Sequence, residues 1–126
     1  MSKLNLSIFL GFAISSSPFG MANAAGDAQR GETLYQGRCA ACHSIDYNGV
    51  GPAHKGVFNR KAGMQTGYAY SPAVQASTVI WNEASLDKWL TNPEKFIPGQ
   101  KMGFMVPLAK DRADLIAYLK KETSGK

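Results

Sequence analysis

The sequence predicts a small, single-domain, all-α protein: several short helices joined by long loops that wrap around something the polypeptide does not itself supply. Apolar residues recur at helical spacing in two C-terminal segments, and no segment alternates apolar and polar residues as a half-buried strand would. The stretches between the helices are long and rich in glycine and proline. Compact domains rarely keep such loops unless something fills the space they enclose.

The first 24 residues stand apart from that domain. MSKLNLSIFLGFAISSSPFGMANA joins Lys3 to an apolar run from Leu4 to Ile14 and ends on Ala22-Asn23-Ala24, a small-x-small cleavage pattern. Residues 1–24 are therefore expected to be a cleaved signal peptide, with the mature domain running from 25 to 126. A retained anchor would need about 18 or more consecutive apolar residues. This run is shorter and is interrupted by Asn5, Ser7 and Gly11 before Ser15 to Ser17. The expectation is export to the periplasm without stable membrane insertion. Losing Lys3 lowers the formal charge from +5 to +4. Lys and Arg are spread from Arg30 to Lys126 rather than gathered in a run, which argues against nucleic acid and for acidic protein partners.

Within the domain, Asp27 is placed to cap a first helix running through Leu34 and Tyr35 toward Cys39, and Gly31 and Gly37 lower its propensity. Residues 44–66 are dominated by turn formers and read as an irregular wrap. Ser71-Pro72 opens a short helix. Ser85 is expected to cap another, in which Leu86, Trp89 and Leu90 share one face until Asn92-Pro93 ends it. NPEKFIPGQKMGFMVP, with three prolines and two glycines, reads as a shaped loop. Asp111, followed by Asp114, is expected to start the last helix, whose stripe is Leu115, Tyr118 and Leu119.

CAACH, residues 39–43, holds both cysteines and one of two histidines. A disulfide across so short a loop would constrain little chain and would leave the histidine unexplained. A dithiol redox pair would want a βαβ context, which is missing. Zinc would need four ligands, with His54 and a carboxylate improvising the second pair. Covalent haem attachment uses all three residues. The thiols of Cys39 and Cys42 add to the porphyrin vinyl groups, and His43 is placed under the iron. One haem c is therefore the object around which the loops are expected to wrap. For the opposite face of the iron, His54, Met64, Met102 and Met105 are the candidates.

GDAQRGETLYQGRCAACH, GP followed by KGVFNRKAG, YAYSPA, the Trp of VIW, LTNPEKFIPGQKMGF and DRADLIAYLKK occur in this order. From Gly26 to about Lys121 the chain resembles the class I cytochromes c, specifically the mitochondrial-like bacterial members. The resemblance implies a cytochrome c domain over 25–126, with His43 and Met102 as the axial ligands. It makes Pro52 the acceptor of a hydrogen bond from His43. Arg60, Tyr70 and Trp81 fall around the haem propionates, and Phe104 beside the haem edge. Met105 is left to the core or the haem edge, and His54 to the surface or the haem edge. Gly31 and Tyr35 would cross the last helix at Leu115 and Tyr118. Three positions depart from the family pattern: Gln100 stands for a threonine in the ligand loop, Trp89 for a tyrosine near the methionine sulfur, and Glu94 for a lysine of the docking face.

Two axial protein ligands leave no open site for substrate, so the resemblance implies a monomeric one-electron carrier rather than an enzyme. Arg38, Lys95 and Lys101, with help from Lys110, are expected to ring the haem edge and steer an acidic reductase, oxidase or dehydrogenase.

Overall fold

The computed structural model describes residues 25–124, so the signal peptide expected over 1–24 lies outside the described residues. Five helices follow one another: α1 (Ala28–Arg38), α2 (Pro72–Gln75), α3 (Glu83–Thr91), α4 (Pro93–Phe96) and α5 (Ala109–Thr123). Among the described residues there is no strand, only an isolated antiparallel bridge between Lys61 and Ile80. The all-α expectation holds.

α1 starts where its cap directs. The Asp27 carboxylate accepts from the Gln29 and Arg30 N–H groups at 2.9 and 3.1 Å, satisfying donors that the first turn leaves without partners. Ser71 caps α2 in the same way, accepting from the Val74 N–H. At α3 the cap lies three residues earlier than expected. Asn82 is the N-cap and accepts from the Ser85 N–H at 2.9 Å, while the Ser85 hydroxyl accepts from the Asn82 N–H at 2.8 Å. Ser85 is thus the return half of a capping box. Asn92 closes α3 and also caps α4, which puts one helical turn into the segment read as loop.

α5 begins at Ala109, ahead of Asp111, with no side-chain cap at Leu108. Asp111 does something else. It sits in the first turn, 1% exposed, accepting from Arg30 and Arg38 of α1 at 2.5 and 2.9 Å, where the helix dipole also favours a negative charge. Asp114, equally buried, accepts from Arg30, from Lys110 at 2.9 Å and from the Asp27 N–H at 2.7 Å. Burial alone would raise the Asp114 carboxyl, but the Asp27 N–H, Lys110 and Arg30 hold it down to about 2.

Gly31 sits at the centre of this crossing. A Cβ there would lie 1.9 Å from the Asp114 carbonyl oxygen and 2.8 Å from Cβ of Tyr118, so only glycine lets the two backbones approach this closely. Gly37 has open space around it, and packing gives no reason for it. Tyr35 packs on Tyr118 with ring centroids 5.2 Å apart. These two rings, with Leu86, Leu90, Val106, Leu115, Ile116 and Leu119, make the main core. Ala62, Val74 and Ile97 make a smaller cluster, and Trp81 and Trp89 touch both. Leu86, Leu90, Leu115 and Leu119 of the first cluster and Val74 of the second border a common cavity.

Candidate haem site

α1 delivers the attachment motif. As the helix ends, the Cys39 carbonyl accepts from the Cys42 N–H at 3.0 Å and from the His43 N–H at 2.8 Å, which winds CAACH into one tight turn and gathers its three reactive side chains. The two cysteines form no disulfide with each other. Cys39 is partly buried, and that burial pushes its thiol up to about 11 despite Arg38 beside it, whereas Cys42 is exposed.

His43 is held in one tautomer. Its Nδ1 lies 2.8 Å from the Pro52 carbonyl oxygen; a carbonyl can only accept, so Nδ1 carries the hydrogen and Nε2 keeps its lone pair. Burial lowers the His43 pKa, with the Pro52 carbonyl opposing, so the ring is neutral at neutral pH and able to bind a metal. The ring occupies a niche that depends on Gly51, where a Cβ would come within 2.2 Å of His43 Cε1. The sequence matched Gly51 only as part of the GP pair and assigned it no role, although its place directly before Pro52 was the available signal.

The cavity has a volume of about 560 Å³, within the range of small-molecule and cofactor sites. Cys39, Cys42, His43 and Pro52 line it, as do Met102 and Phe104 from the loop after α4. Arg60, Tyr70, Trp81 and Trp89 line it too, so every site residue expected from the sequence borders one space. Of the three candidate methionines, Met64 and Met105 are 61% and 54% exposed, while Met102 is partly buried against the main core. Met105 is therefore not a core residue and does not line the cavity.

One end of the cavity is polar. The Arg60 guanidinium donates to the Lys55 carbonyl and the Gln65 side chain, both at 2.7 Å, and the Tyr70 hydroxyl accepts from the Gln65 N–H at 3.2 Å. Burial lowers Arg60 and raises Tyr70, each partly countered by the other. Trp81 is joined to Asn59 and Arg60 through backbone hydrogen bonds and meets Trp89 edge to face at 5.4 Å. Paired thiols, a neutral imidazole with a free nitrogen, an apolar wall and a polar rim fit a covalently bound haem.

Two departures from the expected pattern turn out to be partners. Glu94 accepts from the Gly99 N–H at 3.0 Å and from the Gln100 amide at 3.1 Å, fastening the loop that carries Met102. His54 lines the cavity instead of the surface. Its Nδ1 is 2.9 Å from the Tyr35 hydroxyl, and its ring stacks on His43 with centroids 4.2 Å apart.

Residues 28–123 match the family model for Cytochrome c. The chain is similar to "Cytochrome c" of Euglena viridis, 46% identical over 75% of this chain and 96% of that protein. It is similar also to "Cytochrome c" of Gibberella zeae, 45% identical over 79% of this chain and 98% of the other. Among solved structures it is similar to cytochrome cH from Methylobacterium extorquens, at 46% identity and a TM-score of 0.73 over 76% of this chain and 99% of that one.

Proposed function

Since the chain belongs to the cytochrome c family, whose members carry one covalent haem c and transfer electrons without being enzymes, we propose that it is an exported one-electron carrier with His43 and Met102 on opposite faces of the iron. The haem supplies the ferric/ferrous couple. The protein residues attach it through Cys39 and Cys42, present the free Nε2 of His43 and keep water out with an apolar wall. A thioether opposite an imidazole favours the reduced state and closes the iron to substrates.

The observation that carries this reading is the tautomer of His43, fixed by Pro52 at 2.8 Å in a cavity wall shared with the half-buried Met102. The site reading keeps Pro52, Arg60, Tyr70, Trp81, Trp89 and Phe104 in the roles the sequence suggested. Residues 1–24 direct export to the periplasm, where the carrier works as a soluble monomer. No helix among the described residues is long and apolar enough to cross a membrane.

Steering of an acidic redox partner rests on fewer cations than the sequence suggested. Arg38 and Lys110 are paired with Asp111 and Asp114, leaving Lys95 and Lys101 to supply most of the field, so encounter rates fall as ionic strength rises.

Met102→Ala tests the ligation. The ferric protein is expected to lose its sulfur-to-iron charge-transfer band and bind cyanide faster. Met105→Ala, at an exposed position, is expected to keep the band and to change stability by no more than about 0.5 kcal/mol. A band that survives the first substitution and disappears in the second would overturn the assignment.

A further inference from the structure

The proximal side of the cavity contains more polar structure than attachment and ligation require. The His43 edge is held by Pro52 at 2.8 Å, and its face is covered by His54, whose ring lies 4.2 Å away at 20°. His54 is held in turn by the Tyr35 hydroxyl at 2.9 Å. Tyr35 is 2% exposed and sits in the α1–α5 crossing against Tyr118. A continuous line of contacts therefore runs from α5 through Tyr118, Tyr35 and His54 to the His43 ring.

Neither Tyr35 nor His54 is needed to fill space, because a phenylalanine and a leucine would fill it without a hydroxyl or ring nitrogens to satisfy. A hydroxyl and an imidazole in an apolar wall are unfavourable where their hydrogen bonding is incomplete, so their presence calls for an effect that an apolar pair would not produce. Two such effects follow from the geometry. A near-parallel ring restricts rotation of His43 about its bond to Cβ, and ligand orientation is one of the means by which neighbouring groups tune a metal centre. A polarisable ring and a dipole in the wall also stabilise the more positive, ferric state relative to a wholly apolar wall.

We propose that Tyr35 and His54 are positioning residues that brace the plane of the His43 ring and set the haem potential lower than an apolar wall would. The inference rests on His43 as the axial ligand. The Tyr35 ring itself borders the cavity, but its hydroxyl, the group that Tyr35→Phe removes, reaches the site through His54, to whose ring it is bonded.

The test uses holoprotein of the wild type, His54→Leu, Tyr35→Phe and the double variant. Midpoint potentials are measured by equilibration with a redox dye, and the hyperfine-shifted His43 ring resonances are recorded for each ferric form. His54→Leu is expected to move the electron-exchange equilibrium about three- to tenfold toward the reduced state, tenfold being about 59 mV for one electron, and to displace the His43 resonances. Tyr35→Phe is expected to act in the same direction by a smaller factor and to add nothing in the His54→Leu background, as coupled residues do.

A merely structural pair would lower the melting temperature while leaving potential and resonances in place, and that result overturns the inference. So does a Tyr35→Phe effect of equal size with and without His54. Should His54→Leu yield no holoprotein, Tyr35→Phe alone decides by the same two readouts. A wild-type protein without shifted His43 resonances would instead defeat the ligand reading, and is distinguishable because no substitution is involved.

Discussion

The α1–α5 crossing and the loop wrap around the cavity solve the problem of burial in opposite ways. At the crossing the chain is its own partner: Gly31 admits the Asp114 carbonyl, Tyr35 meets Tyr118, and two buried carboxylates are matched by Arg30, Arg38 and Lys110. In the wrap, residues 44–66 and 92–107 present apolar and polar groups to a space of about 560 Å³ that they do not fill themselves. The crossing gains its stability from protein contacts, whereas the wrap depends on what it encloses. Ligand binding of that kind becomes part of folding free energy.

The comparison is broken most severely at the thiols. Replacing Cys39 and Cys42 together with serine is expected to eliminate stable holoprotein and cooperative melting. Amide exchange should show residues 44–66 and 92–107 losing protection first and the crossing last. If the haem-free variant melted cooperatively with both loops protected, the wrap would not depend on its cofactor. The next largest effect is expected on the other side of the comparison. Gly31→Ala places a Cβ against backbone rather than a yielding side chain and should cost about 3 kcal/mol by denaturant unfolding, with the haem spectrum of the folded fraction unchanged. A spectral change larger than the stability change would show the two regions to be less separate than described.

The smallest effect sharpens the contrast through pH. Asp114, held at about 2 by Asp27, Lys110 and Arg30 with Asp111 and Arg38 nearby, has a folded pKa below the ordinary value of about 3.9. Its contribution is therefore fully present above about pH 4 and is lost as pH falls through about 2. Asp114→Asn should lower stability at neutral pH and flatten the acid limb between about pH 4 and 2 by up to one proton's worth of slope. An unchanged acid limb would remove Asp114 from the stabilising network.

How much of this was legible in the sequence depended on the range of each signal. CAACH was readable because haem attachment is encoded in five adjacent residues, and the Leu86, Trp89 and Leu90 stripe because helical periodicity is local. The cap of α3 was misplaced at Ser85 because both members of a capping box are cap-forming residues, and only the hydrogen bonds show which one precedes the helix. Asp111 was read as a helix start because its partners Arg30 and Arg38 lie 81 and 73 positions away. His54 was assigned to the surface or the haem edge because nothing local indicates that a turn-rich loop will fold back against His43. The Glu94 and Gln100 contact was similarly hidden, since each residue looked like a separate deviation until the loop closed between them.

The fastening of the N-terminal helix to the C-terminal one also has a consequence in time. Among the described residues α1 packs on α5 and on no other helix, and its start is tied to Asp114, 87 residues later, through the Asp27 N–H. A ribosome completes α1 long before it reaches α5, so during synthesis the first helix does not yet have α5 to dock on. A contact this distant in sequence also carries the entropy cost of closing the intervening chain. The step that completes the crossing also brings the core against Cys39, which ends partly buried, while Cys42 stays exposed.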